Sequence, residues 1–507
     1  MIEETLRRHA LEKGDKPAVI CGERSLTYGQ LDSLSNKLAD SLSSLGLAKK
    51  SKVSFLLNNS LEFPLIYYTL IKLGAIAVPI NTRYQASELQ FVLNHVESEL
   101  LLFNETYQGI VRQIRPELSQ IKRYIMCGDR GESAFSKLLE KGKDVRRSAP
   151  VSDVEEMIYF YTSGTTGDPK GVVLTRANCI SSAKMWIEAM GFSSRDKMLV
   201  TTPLWHCSAT TAFMLSAGIV GATLILLPEF STEEVLRMIQ IQKPNFIWLV
   251  PSIMILLQQH PRVLQYDLTS LKTILSGGSP VDTEVVKWWK DTVQHIEVCN
   301  GYAQTEGATA CSLLRDEHIL SKPHSIGTAI SRVVQLKVVD EKGDEAESGK
   351  TGEIVMRGPN VMKGYYKNHA LTEKTIRERW LFTGDLGHFD REGFLYFDGR
   401  KRDLIIRGGE NIFPEEIETV LSEHPDVLEN AVIGVHDEIL GEVVMAVVVR
   451  KRESRVLAKD LISYCSGFLA DYKVPKFVTF VEELPKNPTG KVLKKVLRKE
   501  FGAEGSQ

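Results

Sequence analysis

Short apolar runs alternate along most of the chain with longer stretches in which apolar residues recur at helical spacing. KVSFLLN (52–58) precedes LEFPLIYYTLIKLGA, and IAVPIN follows it; FIWLVP (246–251) precedes a helical stretch, and TILSGG (273–278) comes after. A run that is apolar throughout reads as a strand buried on both faces. Strand, helix and strand in repetition predict parallel sheets covered by helices. Ligands of such sheets gather at the carboxyl ends of the strands. The turns YTSGTTGDPKG, SGGSP and NGYAQTE each follow an apolar run, which makes them the first places to look for chemistry.

From about Ala329 the pattern shortens to β-like pieces separated by turns, VVQLKVVD, EKGDEAESGKTG and EIVMRG, as an antiparallel subdomain would read. A charged segment, GRKRD (399–403), then separates two apolar strands, and the last hundred or so residues read as a small α/β domain ending in the basic KVLKKVLRKEF. The expected architecture is α/β: a large N-terminal domain (1–399) of parallel-rich sheets with flanking helices and a β subdomain, a hinge at 400–403, and a small mobile C-terminal domain (404–507).

A chain of 507 residues exceeds one ordinary core, in keeping with two domains. Lys and Arg number 62 against 64 Asp and Glu, so no charge excess points to nucleic acid. The seven cysteines are scattered without a CxxC pair, which argues against a zinc site or disulfide framework and fits a reducing cytoplasm. The first residues, MIEETLRRHALEKGDKP, are charged throughout and lack the apolar core of a secretion signal. Between Met198 and Pro228 no charged residue occurs, a length that would span a bilayer. The prolines, glycines and hydroxyls inside it suit a strand, a buried helix and a second strand better, so no transmembrane segment is expected.

The candidate chemistry starts at Tyr161–Gly171. Ser163, Gly164, Thr165, Thr166 and Gly167 form a loop whose N–H and O–H groups can converge on an anion, and Lys170 adds a point charge suited to phosphate. It is not a Walker loop, since GxxxxGK[ST] is absent; taken alone, such letters also suit a surface loop. In NGYAQTEG, Tyr302 offers a ring for a purine and Glu306 a hard oxygen for Mg²⁺, although a buried Tyr and an exposed Glu in a turn look the same. Gly277–Gly278 of SGGSP permit a close backbone approach, or merely end a strand. Asp385 in FTGDLG suits a ribose diol, or marks a turn. Lys491 in PKNPTGK and His206 in PLWHCSAT read on their own as a solvated lysine and a packed histidine.

The loop and nine further stretches in the family's order carry a resemblance that covers nearly the whole chain: LTYGQLDSLSNKLADSL, LGAIAVPIN, PLWHCSATT, SGGSP, NGYAQTEG, TGEIVMRGPNVMKGYY, WLFTGDLG, GRKRDLIIRGGENIFPEEIE and LPKNPTGKVLKK, beside YTSGTTGDPKG. With them the chain resembles the adenylate-forming superfamily, which includes acyl-CoA synthetases, peptide-synthetase adenylation domains and beetle luciferases. The resemblance implies an acid–CoA ligase that uses ATP, Mg²⁺ and CoA, first making an acyl-adenylate and then an acyl thioester.

Residue by residue it implies the following. Thr162, Ser163, Gly164, Thr165, Thr166, Gly167 and Lys170 hold the phosphates; Gly278, Ser279, Asn300, Gly301 and Tyr302 lie along the adenine, with Thr305 near the α-phosphate. Asp385 and Arg400 hold the ribose, Glu306 the metal, and Lys491 bridges carboxylate and phosphate. His206, Thr210, Trp248, Gly278, Gly301 and Ala303 line the acyl tunnel, and Gly408–Gly409 face the pantetheine. A neutral His206, where amino-acid-activating relatives carry Asp, implies an acid without an α-amino group, taken here as a fatty acid. A carrier protein loaded in trans, an inactive nucleotide- or acyl-binding homologue, a distant luciferase-like oxygenase and a homodimer stand as alternatives or additions. Departures are Arg402 at the hinge, Arg176 in place of His, Trp205 in place of a common Phe, and His436 in place of Pro.

Overall fold

The computed structural model describes the chain except residues 1, 129–132, 163–168, 279–280, 402, 409, 453, 487–491 and 503–507. It divides into two compact units, 1–336 with 356–382, and 337–355 with 383–507. The second unit takes in 337–355 and 383–399, which precede the hinge expected from the sequence.

The larger unit is built on two sheets. In the first, the strands Pro17–Cys21, Thr223–Leu226, Lys197–Val200, Phe246–Leu249, Thr273–Gly277 and Glu297–Tyr302 lie side by side in that order, all parallel. Ser312–Leu314 and Ser325–Ala329 add antiparallel strands. In the second sheet, Ile76–Pro79, Lys52–Leu56, Leu100–Asn104 and Arg123–Cys127 are parallel. Glu156–Thr162 joins this group through Ile76–Pro79 and turns back antiparallel into Lys170–Thr175. The apolar runs are therefore the strands, and their residues are buried along their length, where each Leu, Ile or Val contributes about 1.5–3 kcal/mol.

The uncharged stretch from Met198 to Pro228 folds as expected, with one difference. Strand Lys197–Val200 and strand Thr223–Leu226 flank a buried helix, but its first part, Ser208–Met214, is π-helical before Leu215–Val220 becomes α-helical. Among the described residues, no helix is long and apolar enough to cross a membrane. Helix bounds follow local chemistry: Thr27 closes a capping box on Tyr28–Ser44, and Gly74 ends Glu62–Leu73 in the left-handed region that glycine allows.

In the smaller unit, residues 385–389 of strand Trp380–Phe389 pair antiparallel with Leu395–Arg400, which sets Asp385 opposite Arg400. A five-stranded sheet follows, with Glu410–Ile412, Ile405–Arg407, Gly441–Arg450 and Val427–Asp437 in order, and Phe477–Phe480 parallel to Gly441–Arg450. The helices Pro414–Ser422 and Ala458–Ser466 cover one apolar cluster of this sheet, and Lys494–Phe501 contributes to another. Pro414 occupies the first helical position, where its missing N–H costs nothing.

Candidate active site

Thr162 pairs with Lys170 at the ends of two antiparallel strands, which flank the hydroxyl-rich stretch in the sequence. Ser163, Gly164, Thr165, Thr166 and Gly167 lie outside the described residues, as does Ser279. Lys170 opens the returning strand, and its Nζ stands 3.5 Å from the Tyr365 hydroxyl and 4.7 Å from that ring's centre. The Tyr365 hydroxyl donates to Glu306 Oε1 at 2.9 Å. Burial, and then the charge of Glu306, push that hydroxyl's pKa up, so it stays a donor at neutral pH. Lys170, Tyr365 and Glu306 thus form one row of alternating cation, hydroxyl and carboxylate, joining residues far apart in sequence.

Glu306 sits in a single 3₁₀ turn, Thr305–Gly307, just beyond the carboxyl end of strand Glu297–Tyr302. The turn is pinned from the 356–382 segment: Met362 N–H donates to Glu306 O at 2.8 Å, and Asn360 Nδ2 donates to Gly307 O at 2.8 Å and Ala310 O at 2.6 Å. Tyr302 is half-buried, with Gln304 Nε2 at 3.5 Å from its hydroxyl. Among the described residues no group of three or more His, Cys, Asp or Glu is arranged so that it could hold a metal ion. A metal here would rest on one carboxylate and on phosphate and water oxygens, which is how Mg²⁺ is commonly held.

The adjoining backbone has the features of a cradle. Gly278 has φ +93°, and a Cβ there would enter open space, so the main chain is bare on that side. Ser276 and Asn300 stand in one row across neighbouring parallel strands. Ser276 Oγ and Asn300 Oδ1 are buried without hydrogen-bond partners, an arrangement that usually awaits a ligand or water.

The opposite face of the same strands is aromatic. A Cβ on Gly277 would stand 2.6 Å from Gly301 O and 2.9 Å from the Trp248 ring; one on Gly301 would stand 3.0 Å from the Trp186 ring. Phe213 packs on both indoles, with centroids 5.0 Å from Trp248 and 6.4 Å from Trp186. These glycines are therefore where two tryptophans reach the sheet. Ala303 is exposed.

His206 lies at the end of the loop 202–206. Asn59 brackets that loop: its Oδ1 accepts from Leu204 N–H at 2.7 Å and its Nδ2 donates to Thr202 O at 3.1 Å. Trp205 is fixed by a bond from Nε1 to Thr82 Oγ1 at 3.1 Å and stacks on His206 with centroids 4.5 Å apart. Thr210 is fully buried and its hydroxyl donates to Leu204 O, so its side chain holds the loop. His206 keeps some water-reachable surface, yet protein surrounds it. Burial, with the Arg83 charge nearby, lowers its pKa to about 4. It is a neutral ring at pH 7.

Asp385 and Arg400 lie in the smaller unit. Asp385 is buried, and Arg400 Nε is 3.5 Å from its Oδ1, within ion-pair range but without hydrogen-bond alignment. Gly408 has φ +58°, and its N–H donates to Leu440 O at 2.7 Å. Arg402, Gly409 and Lys491 lie outside the described residues. The helix Lys494–Phe501 that follows position 491 is tied inside this unit: Lys494 Nζ is 2.8 Å from Glu418 Oε1 and 3.8 Å from Glu415 Oε1, and Arg498 meets Asp403 Oδ1 at 3.1 Å.

Tyr365, Asn59, Thr82 and Trp186 were not singled out from the sequence. Tyr365 stood inside a recognised stretch, NVMKGYY, and Thr82 just after LGAIAVPIN, but nothing along the chain says which distant group each will meet. Arg176, noted as a departure, is buried and paired with Glu3 Oε2 at 2.5 Å, a partner 173 positions away.

Residues 6–366 match the family model described as AMP-binding enzyme, and 416–491 match that of the AMP-binding enzyme C-terminal domain. The long-chain-fatty-acid–CoA ligase FadD13 of Mycobacterium tuberculosis is 35% identical, over 94% of this chain and 93% of its own. The acyl-CoA synthetase YngI of Bacillus subtilis, itself named as putative, is 34% identical over 96% and 94%. The crystal structure of the anthranilate CoA ligase AuaEII with anthranoyl-AMP superposes with a TM-score of 0.93 at 25% identity, covering 100% of this chain and 98% of that one.

Proposed function

The chain belongs to the AMP-binding enzyme family and is an ATP-dependent, AMP-forming acid–thiol ligase; from that premise we propose that it joins a carboxylic acid lacking an α-amino group, in the first instance a fatty acid, to CoA. The observation that carries the site assignment is the Lys170–Tyr365–Glu306 row at the start of strand Lys170–Thr175.

In the first step a carboxylate oxygen of the acid attacks the α-phosphorus of ATP, the bond from that phosphorus to the bridging oxygen breaks, and pyrophosphate leaves. Lys170, with the loop hydroxyls and N–H groups including those of Thr162 and Thr166, neutralises the charge that moves onto the phosphates. Glu306 would hold Mg²⁺, which supplies positive charge to the same oxygens; Tyr365 fixes the carboxylate's orientation by its hydrogen bond. Thr305 lies beside the α-phosphate. Tyr302 stacks on adenine, while Gly278, Ser279, Asn300 and Gly301 form its backbone cradle and Asp385 with Arg400 holds the ribose. Lys491 bridges the acid and the α-phosphate.

In the second step the CoA sulfur attacks the acyl carbon, the carbon–oxygen bond to AMP breaks, and the thiol proton leaves to solvent or base. The segment 400–403, with Arg402, is the hinge that withdraws Lys491 and brings Gly408–Gly409 to the pantetheine. His206, neutral and backed by Trp205, forms the wall along which the acid enters.

A second reading of the acid rests on the aromatic floor. Trp186, Phe213 and Trp248 close the space behind Gly277 and Gly301, which favours a compact or aryl acid over a long chain. Acid-dependent exchange of labelled pyrophosphate into ATP, run with aliphatic acids of increasing length, aryl acids and amino acids, separates these. Parallel thioester assays with CoA and with a phosphopantetheinylated carrier protein decide the acceptor. Turnover with amino acids alone would overturn the reading of His206. Exchange with none of the acids would overturn the function.

A further inference from the structure

The chain beyond Glu306 takes an unusual path. Ala308 and Thr309 both have positive φ, +45° and +66°, a region that L-residues visit singly and at a cost, and that persists where neighbours enforce it. The enforcement is visible. Ser182 Oγ donates to Ala308 O, Trp186 Nε1 donates to Thr309 O at 2.9 Å, and Thr309 N–H donates to Gln304 O at 3.0 Å. This kink fixes the direction in which the Glu306 turn ends.

One further group reaches the kink from the other side. Thr211 is fully buried in the π-helical segment Ser208–Met214, a rare form that recurs at functional sites. Its Oγ1 is 2.6 Å from Cys207 O, the carbonyl next to His206, and 3.0 Å from Thr309 Oγ1; Thr309 Oγ1 is in turn 2.7 Å from Ala308 O. Each hydroxyl has one proton to give. Two arrangements link the hydroxyls, Thr309 to Thr211 to Cys207 O and Thr211 to Thr309 to Ala308 O; in a third each hydroxyl serves its own carbonyl, and Thr211 Oγ1 also lies 3.5 Å from Ala308 O. The linked arrangements and the Ala308 contact join the π-helical segment after His206 to the main chain behind Glu306, and a shift at one end changes which arrangement is favoured.

We propose that Thr211 is a positioning residue through which the acid-binding wall at His206 and the metal-holding turn at Glu306 depend on one another. The inference rests on the function proposed above, for which both ends belong to one reaction centre. Acid bound along His206 then raises the affinity for MgATP, and MgATP raises that for the acid by the same factor, as linkage requires.

The test is pyrophosphate exchange with acid and MgATP varied together in the wild type, Thr211→Val and Thr211→Ser. Valine keeps the shape and removes the hydroxyl; serine keeps the hydroxyl. In the wild type, saturating acid lowers the KM for MgATP. In Thr211→Val this factor falls towards one and the KM for MgATP rises about 3- to 10-fold, the loss expected for one buried hydrogen bond; Thr211→Ser retains the wild-type factor. Thr309→Val gives the same loss, and the double variant Thr211→Val/Thr309→Val is no worse than either single one, because both remove the same link. Thr309→Val also carries the test if Thr211→Val fails to fold. A wild-type factor of one, an unchanged factor in the valine variants, or loss of the factor in Thr211→Ser overturns the inference. Wild-type enzyme that exchanges with no acid at all takes down the functional reading, and this inference with it.

Discussion

Protonating His206 should destabilise the larger unit, and the size of the effect follows from the ring's surroundings. An unfolded histidine titrates near 6.5; in the fold, burial and then the Arg83 charge bring this to about 4. The gap corresponds to at most about 3 kcal/mol of stability. Below pH 6.5 the unfolded chain binds the proton more readily than the folded one. The contribution is therefore complete above pH 6.5 and is lost as pH falls towards 4. For a unit of roughly 360 residues, an unfolding entropy of about 2 cal/mol/K per residue turns 3 kcal/mol into a shift of about 4 °C. Thermal unfolding of wild type and His206→Phe at pH 7.5 and pH 4.5 checks it by difference, since other acid-labile groups are common to both. The wild type should lose about 3 °C more than the variant over that interval. Selective ¹⁵N labelling of histidine gives a second reading, in which the His206 ring remains neutral at pH 5.5. Parallel melting curves, or a ring that titrates between pH 6 and 7, would refute the reasoning, and with it the statement that His206 is neutral at neutral pH.

Three more outcomes are expected. Burial foremost, opposed by Lys494, pushes the Glu415 carboxyl up to about 7; stability of the smaller unit should then be full below pH 4.5 and fall by up to about 3 kcal/mol as pH rises through 7. Glu415→Gln should flatten that dependence in urea unfolding between pH 5 and 8, and an unchanged slope would contradict it. Tyr365→Phe removes the hydroxyl on Glu306 Oε1 while leaving a ring under Lys170; the KM for MgATP in pyrophosphate exchange should rise about 10-fold, the low end for a bond to a charged group, with little change in Tm. Equal KM values would show that Tyr365 does not orient the carboxylate. Glu3→Ala strands Arg176, which is buried beside it, and should cost about 3–5 kcal/mol, read by thermal unfolding; a loss below about 1 kcal/mol would mean water reaches the guanidinium.

What the sequence determined by itself is what depends on near neighbours. The strands at 52–56, 246–249 and 273–277 follow from unbroken apolar runs, because a strand buried on both faces has no polar side to show. The turn after strand Glu297–Tyr302 follows from residues adjacent in the chain, and so does the uncharged stretch that becomes strand, helix and strand. The tertiary structure alone decided everything that joins distant positions. Tyr365 finds Glu306 across 59 residues, Asn59 finds Leu204 across 145, and Trp186 finds Thr309 across 123. A threonine at 211 looks like any other in an apolar helix; only the π-helical turn and the left-handed pair at 308–309 bring its hydroxyl between two carbonyls. Short-range patterning chooses elements, because backbone geometry is local. Hydrogen bonds between side chains obey distances in space, which only the packed fold fixes.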